Sequence, residues 1–398
     1  MTWPTALIWL TSALALAALA YQCAALLALT RFFAPPPPAR PSNLAVTLLK
    51  PLYGAEPMLA ENLAGFLAQD HAGPMQMVCG TTVPHDSAIP AVKAVQAAHP
   101  GADITLVVGG GAGGENESGG KDTGEVAANG KIGNLCHMLP AARYDVLVLS
   151  DSDMAVGRDY LPKVLAALDA PGVGAVSCWY VGRGDAGFWS RLGAAAISWQ
   201  MMPNMVIGQA TGMARPCMGS TIALRRPTLD AMGGFARFAH VLADDHAIGA
   251  GVAAQGLAVA IPPLLLTHAG TEASAGQLWR HHLRWAVTIR ALAGAGHYGS
   301  LLTHALPLAL IAMAVQPVTG AGFVAAALAL RLVVARKVCR LAPGTPPPIW
   351  LLPLADCFEF AVFCASLFAR RIDWRGVGLT MAADGRITAS ARHRSGLS

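Results

Sequence analysis

The stretch YDVLVLSDSD (144–153) decides how this chain is read. Four aliphatic residues, Val146 to Leu149, lead into Ser150 and then into two carboxylates, Asp151 and Asp153, one residue apart. An unbroken aliphatic run bounded by polar residues predicts a strand covered on both faces, the habit of parallel sheets. Charge at its end predicts a strand tip that opens into a crevice. In open α/β sheets ligands bind beyond the carboxyl ends of the strands.

The neighbouring sequence repeats the pattern. LAVTLLKPL (44–52), MQMVCGTT (75–82) and ADITLVVG (102–109) predict three more strands. PMLAENLAGFLAQD (57–70) and SAIPAVKAVQAAHP (87–100) have helical spacing between them. Strands alternating with helices predict an α/β domain with a mostly parallel sheet, here over residues 44–290. Residues 109–130 interrupt it with a Gly-rich stretch, GGGAGGENESGGKDTGEVAANG, that predicts a loop insertion. It holds no G-x-x-x-x-G-K-[ST], and its glycines lack dinucleotide-binding spacing.

Of 398 residues, 54% are hydrophobic and only 13% charged, against roughly 25% charged in an ordinary soluble protein. Part of the chain therefore belongs in a bilayer. Residues 5–29 carry no charge and are long enough for one transmembrane helix. No Lys or Arg precedes them, which argues against a cleaved signal peptide. Arg31 and Arg40 follow, so the positive-inside rule places the α/β domain in the cytoplasm. A Pro-rich linker (30–43, with PPPP at 35–38) would space the anchor from the domain. Apolar character returns in a C-terminal membrane region, 300–369. There 301–335 predicts a hairpin of two spans with a break near Gln316–Gly322. The apolar segment 349–369 carries Asp356 and Glu359. Ionised carboxylates are expensive at mid-membrane, so an in-plane or re-entrant segment is expected. Residues 370–398 form a basic tail assigned to the cytoplasm.

The net charge of +5 is mild, and no dense basic run carries interleaved aromatics, so no nucleic-acid partner is expected. Eight cysteines without a C-x-x-C pair predict free thiols in a reducing compartment.

Three motifs carry chemistry. Asp151 and Asp153 offer two hard oxygen donors to one Mg²⁺ or Mn²⁺, with capping of the following helix as the alternative. HVLADDHAIGA (240–250) sets Asp244 and Asp245 before a helical run. It reads as a general base or as another helix start, with His246 a weaker candidate. QLWRHHLRWAVTIR (277–290) interleaves Arg280, His281, His282, Arg284 and Arg290 with Trp279 and Trp285. Such a helix can grip a diphosphate or lie at a membrane interface.

The ordered set LLKPLYG, His85–Asp86, NGKIGNL (129–135), DSDMAVGRDYL, GGF then LADD, and HHLRW resembles the ceramide glucosyltransferase-like family of membrane glycosyltransferases with a GT-A fold. It is most similar to the bacterial hopanoid-associated branch (HpnI), over about residues 44–300. The resemblance implies Asp86 and Lys131 on the donor side and Asp151 and Asp153 on the metal. It also implies Asp245 as base, with Arg284 and Trp285 closing over diphosphate and acceptor. His281 stands where the family has Gln or Arg, and Arg280 is the nearby charge that could substitute.

The implied reaction is inverting transfer of a hexose-type sugar from a UDP-sugar, UDP-N-acetylglucosamine by preference, to a hydroxyl of a membrane lipid. The expected acceptor is a bacteriohopanepolyol at the cytoplasmic face of a bacterial inner membrane. Ceramide glucosylation from UDP-glucose is the alternative within the family. A non-catalytic lipid- or nucleotide-binding membrane protein is the alternative outside it. GFWSRLGAAAISWQMMPNMVI (187–207) is either an amphipathic shelf for the lipid or a core helix.

Overall fold

The computed structural model describes residues 2–34, 42–109, 129–215, 217–342 and 344–369, and the backbone of three short strands beyond them. Most of the Pro-rich linker, the Gly-rich insertion and the basic tail lie outside the described residues.

The four expected strands are present: β1 (Val46–Pro51), β2 (Met75–Thr81), β3 (Asp103–Val108) and β4 (Val146–Leu149). Six more follow: β5 (Met154–Ala155), β6 (Val173–Val176), β7 (Trp179–Gly184), β8 (Ile222–Arg225), β9 (Ala258–Ala260) and β10 (Leu265–Gly270). Seven strands form the main sheet in the order β3-β2-β1-β4-β8-β6-β9. All are parallel except β8, which runs antiparallel to both its neighbours. Alternate side chains of each strand enter two different cores. Val46, Leu48, Met77, Val146 and Val148 pack on one face. Leu49, Val78, Leu147 and Leu149 pack on the other. That two-sided burial is why β4 is aliphatic throughout and its neighbours are largely so.

A second sheet, β5-β10-β7, stands beside the tip of β4. Its outward side chains, Val181 and Leu265 among them, join a third core with Leu29, Trp199, Val334 and Leu352. This core welds the α/β domain to apolar helices. Segment 187–207 lies inside it as two helices, Phe188–Ala196 and Met202–Ala210, around a π-type turn at Ile197–Met201. Leu192, Trp199 and Met202 are buried, and Phe188 alone of its large apolar side chains is exposed. The shelf expectation therefore gives way to a core joint, because the helices Trp3–Phe32 and Leu352–Phe368 cover it.

Among the described residues, three helices are long and apolar enough to cross a membrane: Trp3–Phe32, Pro317–Leu341 and Ile349–Phe368 with its leading 3₁₀ turn. The expected hairpin over 301–335 is drawn differently. Its first arm, Ala305–Val315, has 11 residues. At ~1.5 Å per residue that covers about half of a ~30 Å hydrocarbon core. It joins Ala295–Thr303 at a 70° bend. The break comes at Gln316, and Pro317–Leu341 runs on through Gly320 and Gly322. A Cβ on Gly320 would meet Met313 Cα at 2.1 Å, so glycine there lets the two arms touch.

The objection to a span at 349–369 also falls. Asp356 is paired with Arg331 and Glu359 with His282, so neither carboxylate faces lipid alone. All eight cysteines are free. The three C-terminal strands, β11 (Ile372–Trp374), β12 (Val377–Met381) and β13 (Ile387–Ala389), pair antiparallel.

Candidate active site

The tip of β4 is tied to the LADD segment through one residue. The Asp151 N–H donates to the Gly219 carbonyl at 3.2 Å, and the Gly219 N–H donates to Asp245 Oδ2 at 3.1 Å. A Cβ on Gly219 would lie 2.5 Å from Asp151 Oδ2 and 3.1 Å from Lys131 Nζ, so any side chain at this crossing would push the Asp151 carboxylate aside.

Lys131 enters from the first turn of the helix Gly130–Met138. Asn129 caps that helix, its Oδ1 accepting from the Lys131 and Ile132 N–H groups at 3.0 and 3.3 Å. The Asn129 amide also donates to Asp244 Oδ1 at 3.2 Å. Lys131 Nζ lies 2.6 Å from Asp151 Oδ1 and 3.4 Å from Asp244 Oδ2. The sequence candidates Lys131, Asp151, Asp244 and Asp245 therefore form one cluster.

A further lysine supports it from below. Lys50, at the end of β1, is fully buried, with Nζ 3.8 Å above the Phe66 ring and donating to the Asp151 carbonyl at 2.6 Å. Burial lowers its pKa to about 8, against the pull of Asp151 and Asp153.

The side chains of Asp151 and Asp153 stay 33% and 29% exposed, so water reaches the floor of the cleft. Burial pushes Asp151 above its ordinary range, and Lys131 only partly offsets it. Burial also acts on Asp153, but His268, Lys50 and His281 outweigh it and hold Asp153 low. His268 Nε2 lies 3.2 Å from Asp153 Oδ2. Asp245 is raised to about 6, first by burial and then by Asp244, against Lys131. Glu56 is raised to about 7 by burial and by Asp153, while Ser152 Oγ donates to its Oε1 at 2.9 Å. Burial favours a neutral Lys131, but Asp151, Asp244 and Asp245 together keep it charged. Among the described residues, Asp153 Oδ1 and Glu56 Oε2 are buried without a hydrogen-bond donor, and buried Asp244 Oδ2 has only the ion pair with Lys131. Carboxylates thus outnumber cations on this floor.

The opposite wall is the helix Ala275–Ala293, whose first turn is capped by Ser274. His281 Nδ1 lies 2.5 Å from Glu272 Oε1, and burial keeps the imidazole below its ordinary pKa. A neutral ring donating Nδ1–H suits Glu272, whose carboxyl is held at about 2 against burial by that bond. The His281 ring packs at 4.2 Å on Trp285, and Trp285 reaches His268 at 6.0 Å. The Arg284 charge is felt by both His281 and the buried Tyr180 of β7. His268, His281, Arg284 and Trp285 therefore face the carboxylates as one wall.

Not every candidate joins. Asp86 is buried in the turn after β2, where its Oδ1 accepts from the Gly54 and Ala88 N–H groups at 2.8 and 2.9 Å. That bonding holds two loops together at the same sheet edge. Arg280 and His246 are exposed. Arg290 donates to the carbonyls of Ser366 and Ala369, capping another helix instead of entering the cleft. Residues that sequence reading passed over are Lys50, Glu56, Tyr180, His268 and Glu272. For Lys50 the signal was visible, a lone charge inside an aliphatic strand. Glu56 and Glu272 lie in loops without periodicity, and only the fold shows where they meet the cleft.

The fold and this cleft define an α/β protein with a charged site at the carboxyl edge of its sheet. The model of glycosyl transferase family 21 matches residues 8–387, and the chain belongs to that family. It is a glycosyltransferase. Among solved structures it is similar to a mannosyltransferase from Pyrobaculum calidifontis, in complex with GDP-Man and Mn²⁺, at 23% identity and a TM-score of 0.47, covering 90% of this chain and 99% of that one. It is also similar to glucosyl-3-phosphoglycerate synthase from Mycobacterium tuberculosis, in complex with Mn²⁺, UDP and phosphoglyceric acid, at 14% identity and a TM-score of 0.38, covering 63% and 79%. The family match, and not these two likenesses, assigns the chain.

Proposed function

We propose that the chain transfers a hexose-type sugar, with inversion, from a UDP-sugar to a hydroxyl of a membrane lipid. The preferred pair is UDP-N-acetylglucosamine and a bacteriohopanepolyol, at the cytoplasmic face of a bacterial inner membrane. The observation that supports this most is the position of Asp245. A carboxyl raised to about 6 lies beside the Lys131 cluster, and its charge and that of Arg284 both act on Tyr180. A general base works best with a pKa near the operating pH.

The donor set fits a divalent cation. Among the described residues no three metal-binding side chains already converge. Even so, Asp153 keeps a buried oxygen without a donor, and carboxylates outnumber cations. Asp151 and Asp153 would hold Mg²⁺ or Mn²⁺, with His268 beside Asp153. When bound, such an ion offsets the charge of the diphosphate.

The protein groups do the rest. Asp245 takes the proton of the acceptor hydroxyl as that oxygen bonds to the anomeric carbon and the bond to UDP breaks. Arg284 and Lys131 stabilise negative charge where it develops on the departing diphosphate. Asp86 orders the loops around the nucleoside end. Trp285 offers its face to the acceptor.

Among the described residues, three helices apolar enough to cross a membrane support a lipid acceptor drawn from a bilayer. Incubating membranes that contain the protein with a panel of UDP-sugars, then reading lipids by mass spectrometry, tests the proposal. A glycosylated hopanoid is expected. A ceramide product would replace the acceptor, and no glycolipid with any donor would overturn the reading.

A further inference from the structure

Glu359 sits in a helix apolar enough to cross a membrane, where a lone carboxylate has no place. Its side chain is turned to the catalytic domain. Glu359 Oε1 lies 2.6 Å from Nδ1 of His282, whose side chain is 5% exposed. Nε2 of the same ring is buried, and among the described residues it has no partner, so of these only Glu359 fixes the ring by hydrogen bonding. Nδ1 carries the proton and donates it to the carboxylate.

His282 is three residues before Trp285 on one helix face, where residues at that spacing meet. Its ring lies 5.5 Å from Trp285 and 5.8 Å from His281. On its other side Phe358 packs at 5.3 Å. Nearby, helix Phe188–Ala196 closes the gap at Gly193, where a Cβ would come 3.5 Å from His282 Nε2. His282 is thus a strut between Glu359 and the two rings that line the cleft.

We propose that Glu359 is a positioning residue for sugar transfer: through His282 it sets the rings of Trp285 and His281, so that the membrane helix Leu352–Phe368 is part of the active-site scaffold. The inference rests on the reading that Arg284 and Trp285 close over donor and acceptor. Displacement of a catalytic wall by about 1 Å can cost on the order of 10²-fold in rate.

The same helix pair has a second seam that never touches the cleft, in which Arg290 donates to the Ser366 and Ala369 carbonyls. It supplies the control. In full-length protein in one detergent, Glu359→Ala should lower kcat on the order of 10- to 100-fold with a small change in donor KM. Glu359→Gln keeps an acceptor oxygen and should recover most of that loss. Arg290→Ala should lower the melting temperature yet leave kcat within about twofold, because it loosens the helices away from Trp285.

Parental kcat in Glu359→Ala would overturn the inference. So would equal kcat losses in Glu359→Ala and Arg290→Ala at equal melting temperatures, since that is packing alone. If the parent chain transferred no sugar at all, the functional reading itself would fall, and this inference with it.

Discussion

Two clusters of buried charge, one at the tip of β4 and one among the apolar helices, are built on opposite principles. In the second, Arg331 and Asp356 are 1% and 2% exposed. Arg331 Nε donates to Asp356 Oδ2 at 2.8 Å and Nη2 donates to Oδ1, a two-pronged pair. Nη1 donates to the Trp199 carbonyl at 2.7 Å and to Gln22 at 3.4 Å. That carbonyl lies in the π-type turn, where the regular helical ladder is opened and a side-chain donor can be accepted. Charge and hydrogen bonds are matched there, and the cluster binds three apolar helices to the catalytic domain. The cleft cluster has surplus carboxylate, orphaned oxygens and access to water. A matched cluster holds a structure together, and an unmatched one awaits a ligand.

This contrast can be broken in four ways. The largest effect is expected from Asp245→Asn, which should cut transfer by about 10²–10⁴-fold while UDP-sugar binding, measured by calorimetry, persists. Turnover close to that of the parent would remove Asp245 as base.

Asp356→Ala should destabilise the protein by about 3–5 kcal/mol, because it strands a buried guanidinium. The double change Arg331→Leu with Asp356→Leu should restore much of that. Thermal unfolding in detergent reads both, and a double variant as weak as the single one would show that the pair stabilises in its own right.

Third is the pH profile of transfer. As the proposed base, Asp245 would have to be deprotonated to accept a proton, and burial with Asp244 raises it to about 6, against Lys131 and the His246 N–H. Activity should therefore fall tenfold per pH unit below about 6 and level off above it. An acid limb near 4 would mean that the base is not held up by its surroundings.

The smallest effect is expected at the exposed pair Asp70–Arg158, at 2.6 Å with both side chains more than half exposed. Asp70→Asn should leave melting temperature and kcat unchanged, since such pairs contribute little.

A separate cavity of about 150 Å³ shows how strand alternation partitions the molecule. It is lined by Val181, Thr267, Trp199 and Cys339, on the face of β7 and β10 opposite Tyr180 and His268. Its lining is mainly apolar, and the contact between His268 and Asp153 lies on the other face.

The aliphatic runs determined by themselves that strands form at 46–51, 75–81, 103–108 and 146–149, because strands in a covered parallel sheet are rich in Val, Leu and Ile. The pair Asp151 and Asp153, the LADD segment and the HHLRW helix were likewise legible, being local in sequence. So was the apolar character of 5–29, within the helix Trp3–Phe32, and of 301–335, but not the single helix Pro317–Leu341. What only the tertiary structure decided were meetings between distant segments. β8 enters the sheet antiparallel, Gly219 bridges Asp151 and Asp245, and His268 turns to Asp153. Asp356 and Glu359 change most. As sequence they are charges that weigh against a span, and in the fold each finds a cationic or imidazole partner from another helix. The cost of a buried charge depends on its partner, and partners far apart in sequence are brought together only by the fold.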